Sequence, residues 1–142
     1  MKGKEVVERE GMSETGMNFS NPLHGGKKPG SIGLPLPGLE ARIVDPESFL
    51  DVESGQVGEF CLKSDSISPG YWKKQEETDK TFEQGWFKTG DLGKKDEEGY
   101  YYLTDRLKNI IITGGENVSP NEVEAVIGRL EEVVESSVVG IM

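Results

Sequence analysis

Four short stretches carry the side chains from which chemistry could be built. In "GMSETG", Gly11 to Gly16, a hydroxyl and a carboxylate stand side by side on a glycine-bounded loop. Ser13 could hydrogen-bond a phosphate there, and Glu14 could hold a magnesium ion that bridges phosphates. A helix N-terminus or a solvated loop fits the same six residues. In "KTGDLG", Asp91 lies between Gly90 and Gly93. A carboxylate on such a turn can accept two hydrogen bonds from a ribose diol, or can simply form the turn. Arg106, in "DRLK", can donate a bidentate pair to hydroxyls or phosphate, or can pair at the surface with Asp105 or Glu98. Gly114-Gly115 ends an aliphatic run, where the backbone can turn or a ligand can come close.

Short strands and turns must carry these residues. The run Ile110-Ile111-Ile112-Thr113 is β-branched and reads as a strand. Ser119-Pro120 then supplies an N-cap and a first-turn proline, with Glu122 as capping-box partner. Apolar side chains at Val123, Val126, Ile127 and Leu130 predict a helix from Asn121 to about Leu130. Upstream, "IGLPLPGLEARIVD" alternates from Leu39 to Val44, and "GQVGEFCLKS" repeats the pattern through Val57, Phe60 and Leu62. A turn at Glu53-Ser54-Gly55 separates them. A short helix is expected from about Gln75 to Phe82, and "GWFKTGDLG" and "EEGYYYLTD" make two strands joined by the acidic turn Lys95 to Glu98. The tyrosines at 100–102 read as strand packing with alternate rings exposed. Further strands are expected at Glu5 to Val7 and in the closing "ESSVVGIM".

The fold class expected is α+β. A small antiparallel β-barrel or sandwich subdomain comes first, and an incomplete α+β domain follows a boundary at Asp105 to Lys108.

Composition removes several functions. The formal charge of −10 opposes a nucleic-acid partner, since nothing offsets repulsion from the phosphate backbone. No apolar stretch is long enough to span a bilayer, and the N-terminal residues do not form a signal peptide. Cys61 is alone, which excludes an internal disulfide and a zinc cluster and suits a buried structural thiol. His24 is also alone, so neither a histidine-based triad nor a multi-histidine metal site can be assembled.

In order, "GMSETG", "GSIGLPLPG", "GEFCLKS", "GYW", "GWFKTGDLG", "DRLKNIIITGGENVSPNEVE" and "ESSVVGI" resemble the acyl- and aryl-CoA synthetases of the adenylate-forming superfamily. The resemblance runs from about Arg9 to Ile141. The wording "GMNFSNPLHGGKKPGSIGLPLPG" is most similar to the malonyl-CoA synthetase branch, with fatty acyl-CoA ligases close by. It implies an AMP-forming carboxylic acid–CoA ligase that uses ATP, Mg2+ and CoA. A carboxylate, malonate or a fatty acid, attacks the α-phosphate of ATP, and the CoA thiol then displaces AMP.

Carried over by resemblance, Ser13 contacts the adenylate phosphate and Glu14 binds magnesium. Gly11 and Met12 sit beside the adenine and acyl pocket. Asp91 holds the ribose hydroxyls with Arg106 assisting, Lys108 is the hinge, and Gly114 and Gly115 face CoA. Residues 1–105 would then be the last part of the large AMP-binding domain, and 106–142 the first part of the small mobile domain.

The resemblance also implies that the phosphate loop, most of the acyl pocket and the adenylation lysine lie outside these residues. The isolated chain is therefore expected to be inactive, with the missing parts of the parent enzyme as its partners, in the cytoplasm or an organelle (mitochondrion or peroxisome). One departure stands inside the motif: Glu10 occupies the position of an adenine-stacking aromatic, and a carboxylate cannot stack. Two other readings remain open. One is a non-catalytic nucleotide-binding or assembly module derived from such an enzyme. The other is an adenylating domain that passes its acyl group to a carrier protein or an oxygenation reaction.

Overall fold

The computed structural model describes residues 6–141. It is mixed α and β, built from antiparallel sheets and two short helices. Strands β1 (Arg9–Met12), β2 (Gly16–Ser20) and β3 (Leu34–Pro35) form a small sheet. The larger sheet runs β4 (Glu40–Val44), β5 (Gly58–Lys63), β7 (Trp86–Lys95) and β6 (Phe82–Glu83), with β8 (Tyr101–Arg106) also paired to β7. Helix α1 (Gln75–Thr81) precedes β6. A hairpin of β9 (Ile111–Thr113) and β10 (Glu116–Val118) leads to α2 (Pro120–Ile127).

The expected barrel does not form. No ladder closes either sheet on itself among the described residues, and the two sheets meet through a single bridge, Gly33 to Tyr101. The core explains why an open arrangement suffices. Phe19 of β2 sits against Phe60 of β5 and Tyr101 of β8, with ring centroids 5.8 and 4.9 Å away. Ile43 and Leu62 complete this cluster. Three large rings fill the space between the sheets, so packing is satisfied without closure. Strand β5 is buried on both faces: Cys61 points away from Phe60 into a second cluster with Val44 and Phe49. Burial pushes the Cys61 thiol up to about 12, so it is the inert structural cysteine its flanks suggested.

Other sequence expectations need correction. The last stretch is not a strand: it passes beside Ile111 of β9 without a ladder, and Val138 N donates instead to Glu124 Oε1 at 2.8 Å. Val6 and Val7 are irregular, and Glu5 lies outside the described residues. Helix α2 ends at Ile127, short of Leu130. Gly114 and Gly115 have φ of 59° and 85°, the left-handed pair that a two-residue hairpin turn demands, and β10 follows where the sequence pattern showed none. From 107 to 141 only Pro120 is buried, and Ile112, Val126, Leu130 and Val139 are exposed. This part has no core of its own.

Candidate functional site

The sequence "GMSETG" is the tip of the β1–β2 hairpin rather than a helix start. Thr15 N donates to Met12 O at 3.3 Å and closes a tight turn that lifts Ser13 and Glu14. Gly11 is required for packing: a Cβ there would lie 2.3 Å from Gly16 O, so any side chain would part the two strands. Ser13 is exposed, and Glu14 Oε1 accepts a hydrogen bond from the Tyr71 hydroxyl at 3.1 Å.

Asp91 is held by a different device. Thr89 Oγ1 donates to Phe60 O at 3.0 Å and accepts from Asp91 N at 3.0 Å, and Gly90 N donates to the buried Glu59 Oε1 at 3.0 Å. These bonds sit where the β5–β7 register shifts. The irregularity re-aims the strand, so that Asp91 faces the open side of the sheet. Asp91 stands opposite Arg106 in the β7–β8 ladder, and Arg106 Nε meets Asp91 Oδ1 at 3.2 Å. The partner of Arg106 is therefore Asp91, not Asp105 or Glu98.

Asp105, six per cent exposed, has another task. Its Oδ1 accepts from Arg106 N at 2.7 Å and Asn109 Nδ2 at 3.4 Å, while Oδ2 accepts from Ser119 Oγ at 2.5 Å and Asn121 N at 3.3 Å. Burial pushes this carboxyl up, yet the four donors hold it below the usual range. Ser119 also caps α2 by accepting from Glu122 N at 3.4 Å. The N-cap prediction holds, with Asp105 as a further partner.

These elements enclose one open cleft of about 1350 Å³. Gly11, Met12, Ser13 and Glu14 line one wall, and Asp91, Arg106 and Lys108 line the other. Gly114 and Gly115 do not reach it. Glu10 does, and it lies close enough to Asp91 for their charges to interact. Burial pushes the Glu10 carboxyl up, Asn18 Nδ2 counters this by donating to its Oε2 at 3.1 Å, and Asp91 adds repulsion. Asp91 is pushed up by burial too, opposed by Arg106. Thr104, also on the cleft wall, has a buried hydroxyl without a partner among the described residues.

A wall with one cation–carboxylate pair faces a hairpin tip with a free hydroxyl and a carboxylate. That arrangement suits a polyhydroxylated anion. No group of three or more His, Cys, Asp or Glu side chains is assembled for a metal among the described residues. A metal at Glu14 would share one carboxylate with the ligand's own oxygens, which is the habit of magnesium beside phosphates.

Sequence reasoning did not find Glu59, Tyr71 or the task of Asp105. Each acts across a sequence gap of 14 to 57 residues, so no local spacing marks it.

Residues 1–72 match the family model described as AMP-binding enzyme. The chain is 41% identical over 140 residues to a long-chain-fatty-acid–CoA ligase of Bacillus subtilis, covering 98% of this chain and 25% of the relative. It is 41% identical over 141 residues to a malonate–CoA ligase of Arabidopsis thaliana, covering 98% and 22%. The structure superposes on ATP-bound MatB from Rhodopseudomonas palustris with a TM-score of 0.92 and 46% identity, over 98% of this chain and 28% of that one. The chain thus spans about a quarter of the length of the curated relatives it matches.

Proposed function

The chain belongs to the AMP-binding enzyme family, and from that premise we propose that it is the nucleotide-holding segment of an AMP-forming carboxylic acid–CoA ligase. The observation that carries this reading is the single cleft joining the Ser13–Glu14 hairpin tip to the Asp91–Arg106 pair.

In this reading the ribose diol of ATP donates to the Asp91 carboxylate. Arg106 neutralises part of that charge and donates to the ribose or a phosphate oxygen. Gly11 and Met12 flank the adenine, and Ser13 Oγ donates to the phosphate. Glu14 would hold the magnesium ion, which when bound draws charge from the phosphate oxygens. The acid carboxylate attacks the α-phosphorus and pyrophosphate leaves; the CoA sulfur then attacks the acyl carbon and AMP leaves. Between the two steps residues 106–142 would swing as a small domain about Lys108 and bring the Gly114-Gly115 turn to the pantetheine arm. A pivot needs a residue whose backbone can change conformation, and the short 3-10 turn Leu107–Asn109 offers that place. Malonate and fatty acids are the acids this reading favours.

The expected result for the purified chain is binding of AMP or ATP without turnover, because the acyl pocket of this reading is supplied by other parts of a longer enzyme. Calorimetry with AMP, and thioester assay with ATP, CoA and malonate or palmitate, test both halves. No measurable nucleotide binding by a folded, monodisperse chain would sink the reading.

Glu10 makes a second prediction. Its half-buried charge beside Asp91 repels an anionic nucleotide, so Glu10→Gln should tighten AMP binding about fivefold, from Coulomb's law at several ångströms and an intermediate dielectric. The gain should shrink as salt rises. Equal AMP affinities for wild type and Glu10→Gln at low salt would show that the carboxylate is screened from the ligand.

A further inference from the structure

Glu14 does not stand alone at its hairpin tip. The loop after β5 is fastened to it at three points: Ser68 N donates to Glu14 O at 2.8 Å, Ser66 Oγ to Thr15 O at 3.5 Å, and Tyr71 OH to Glu14 Oε1 at 3.1 Å. The other end of the loop is tied to α1. Tyr71 N donates to Thr78 Oγ1 at 2.9 Å, and Thr78 Oγ1 donates back to Lys74 O at 3.0 Å. The Tyr71 backbone is thus tied to α1 while its hydroxyl reaches the carboxylate.

We infer that Tyr71 is a positioning residue for Glu14: its hydroxyl occupies Oε1, fixes the rotation of the carboxylate and leaves Oε2 presented to a divalent cation bridging to phosphate. A glutamate at a hairpin tip has three rotatable bonds and loses their freedom when it ligates a metal. A hydrogen bond already made on one oxygen removes most of that freedom beforehand. Outer partners of ligating carboxylates act in this way generally, and losing one weakens metal binding by about ten- to a hundredfold. The inference rests on the reading of Glu14 as the magnesium-holding carboxylate.

The test uses Mn2+ as the metal probe, counted by electron paramagnetic resonance, with ATP affinity measured by calorimetry in the presence and absence of metal. Four proteins are compared: the wild-type chain, Tyr71→Phe, Glu14→Gln and the double variant. Phenylalanine keeps the ring and removes only a hydroxyl at a partly exposed position, so folding is preserved. Tyr71→Phe should lower the metal-dependent gain in ATP affinity about tenfold and leave metal-free ATP affinity unchanged. In the Glu14→Gln background the same change should have no further effect.

A Tyr71→Phe protein with an unaltered metal-dependent gain, while Glu14→Gln abolishes it, would overturn the inference and leave the Glu14 reading standing. An equal loss of metal-free and metal-loaded affinity would also overturn it, since that is the mark of a merely structural tyrosine. If Glu14→Gln itself retains the whole gain, the Glu14 reading fails and the inference falls with it.

Discussion

Asp91→Ala is expected to weaken AMP binding about a hundredfold, the largest loss from any single side chain in the cleft. Two hydrogen bonds from ribose hydroxyls to a carboxylate contribute about 1.5 kcal/mol each at the low end for charged acceptors, and about 3 kcal/mol is a factor of a hundred. Asp91→Asn keeps one acceptor and should lose about tenfold. Alanine does leave Arg106 without its partner, but that side chain is 59% exposed and rehydrates. The ion pair by itself is therefore worth little, and the lost affinity belongs to the ligand contacts.

The acid dependence of the same site separates binding from folding. Burial pushes the Asp91 carboxyl above its ordinary value, against the opposing pull of Arg106. A folded-state value that is raised means the native state binds the proton more tightly than the unfolded chain. Ionised Asp91 therefore costs stability, and that cost disappears as pH falls through the raised value. Binding runs the other way, because only the carboxylate accepts both hydroxyls. AMP affinity should thus fall on acidification earlier than an unperturbed aspartate would allow, and Asp91→Asn should lack that acid limb while melting no lower than wild type at neutral pH. Calorimetric titrations and thermal melts between pH 4.5 and 7.5 check both. An Asp91→Ala protein that binds AMP within twofold of wild type would remove the ribose role altogether.

Much of this site was legible in the sequence because its parts are local. A hydroxyl beside a carboxylate between glycines, an aspartate between glycines, and an arginine ending a strand are patterns within six residues, and the structure brings all three to one cleft. The strand that carries Asp91 followed from alternation and turn residues. The β1–β2 hairpin that carries Ser13 and Glu14 did not, since its tip read as a helix start or a loop. What stayed hidden acts at a distance. Glu59 meets Gly90 across the β5–β7 ladder, and Tyr71 meets Glu14 from 57 residues away. Closure of the sheet was also beyond local pattern: strand count allowed a barrel, but the Phe19–Phe60–Tyr101 cluster fills the gap between two open sheets instead. The final apolar stretch misled for a related reason: an apolar run marks what can pair, but here Val138 N is taken by the Glu124 carboxylate, 14 residues away.

Asp105 shows the same limit with the largest structural consequence. Sequence offered it, alongside Glu98, only as an alternative surface partner for Arg106, whereas the fold uses it to tie α2 to β8 through Ser119 and Asn121. With only Pro120 buried between 107 and 141, few apolar contacts back up that tie. Asp105→Ala leaves four donors without their acceptor, two of them backbone N–H groups, and should destabilise the junction by about 3 kcal/mol. Because the loss is local, hydrogen exchange should speed up about a hundredfold in α2 and in Ile111–Val118, while the Phe60 and Tyr101 strands keep their protection. The sign with pH is opposite to that at Asp91. The Asp105 carboxyl is held below its usual range, so its stabilisation is fully present above the unfolded value of about 3.9 and is lost as pH falls through the lower folded value. The protection gap between wild type and Asp105→Ala should therefore stay constant above about pH 5 and narrow below it. Equal loss of protection in α2 and in the Phe60 strand would mean that Asp105 holds the whole fold rather than the joint. In that case residues 107–141 could not move independently of the cleft they border.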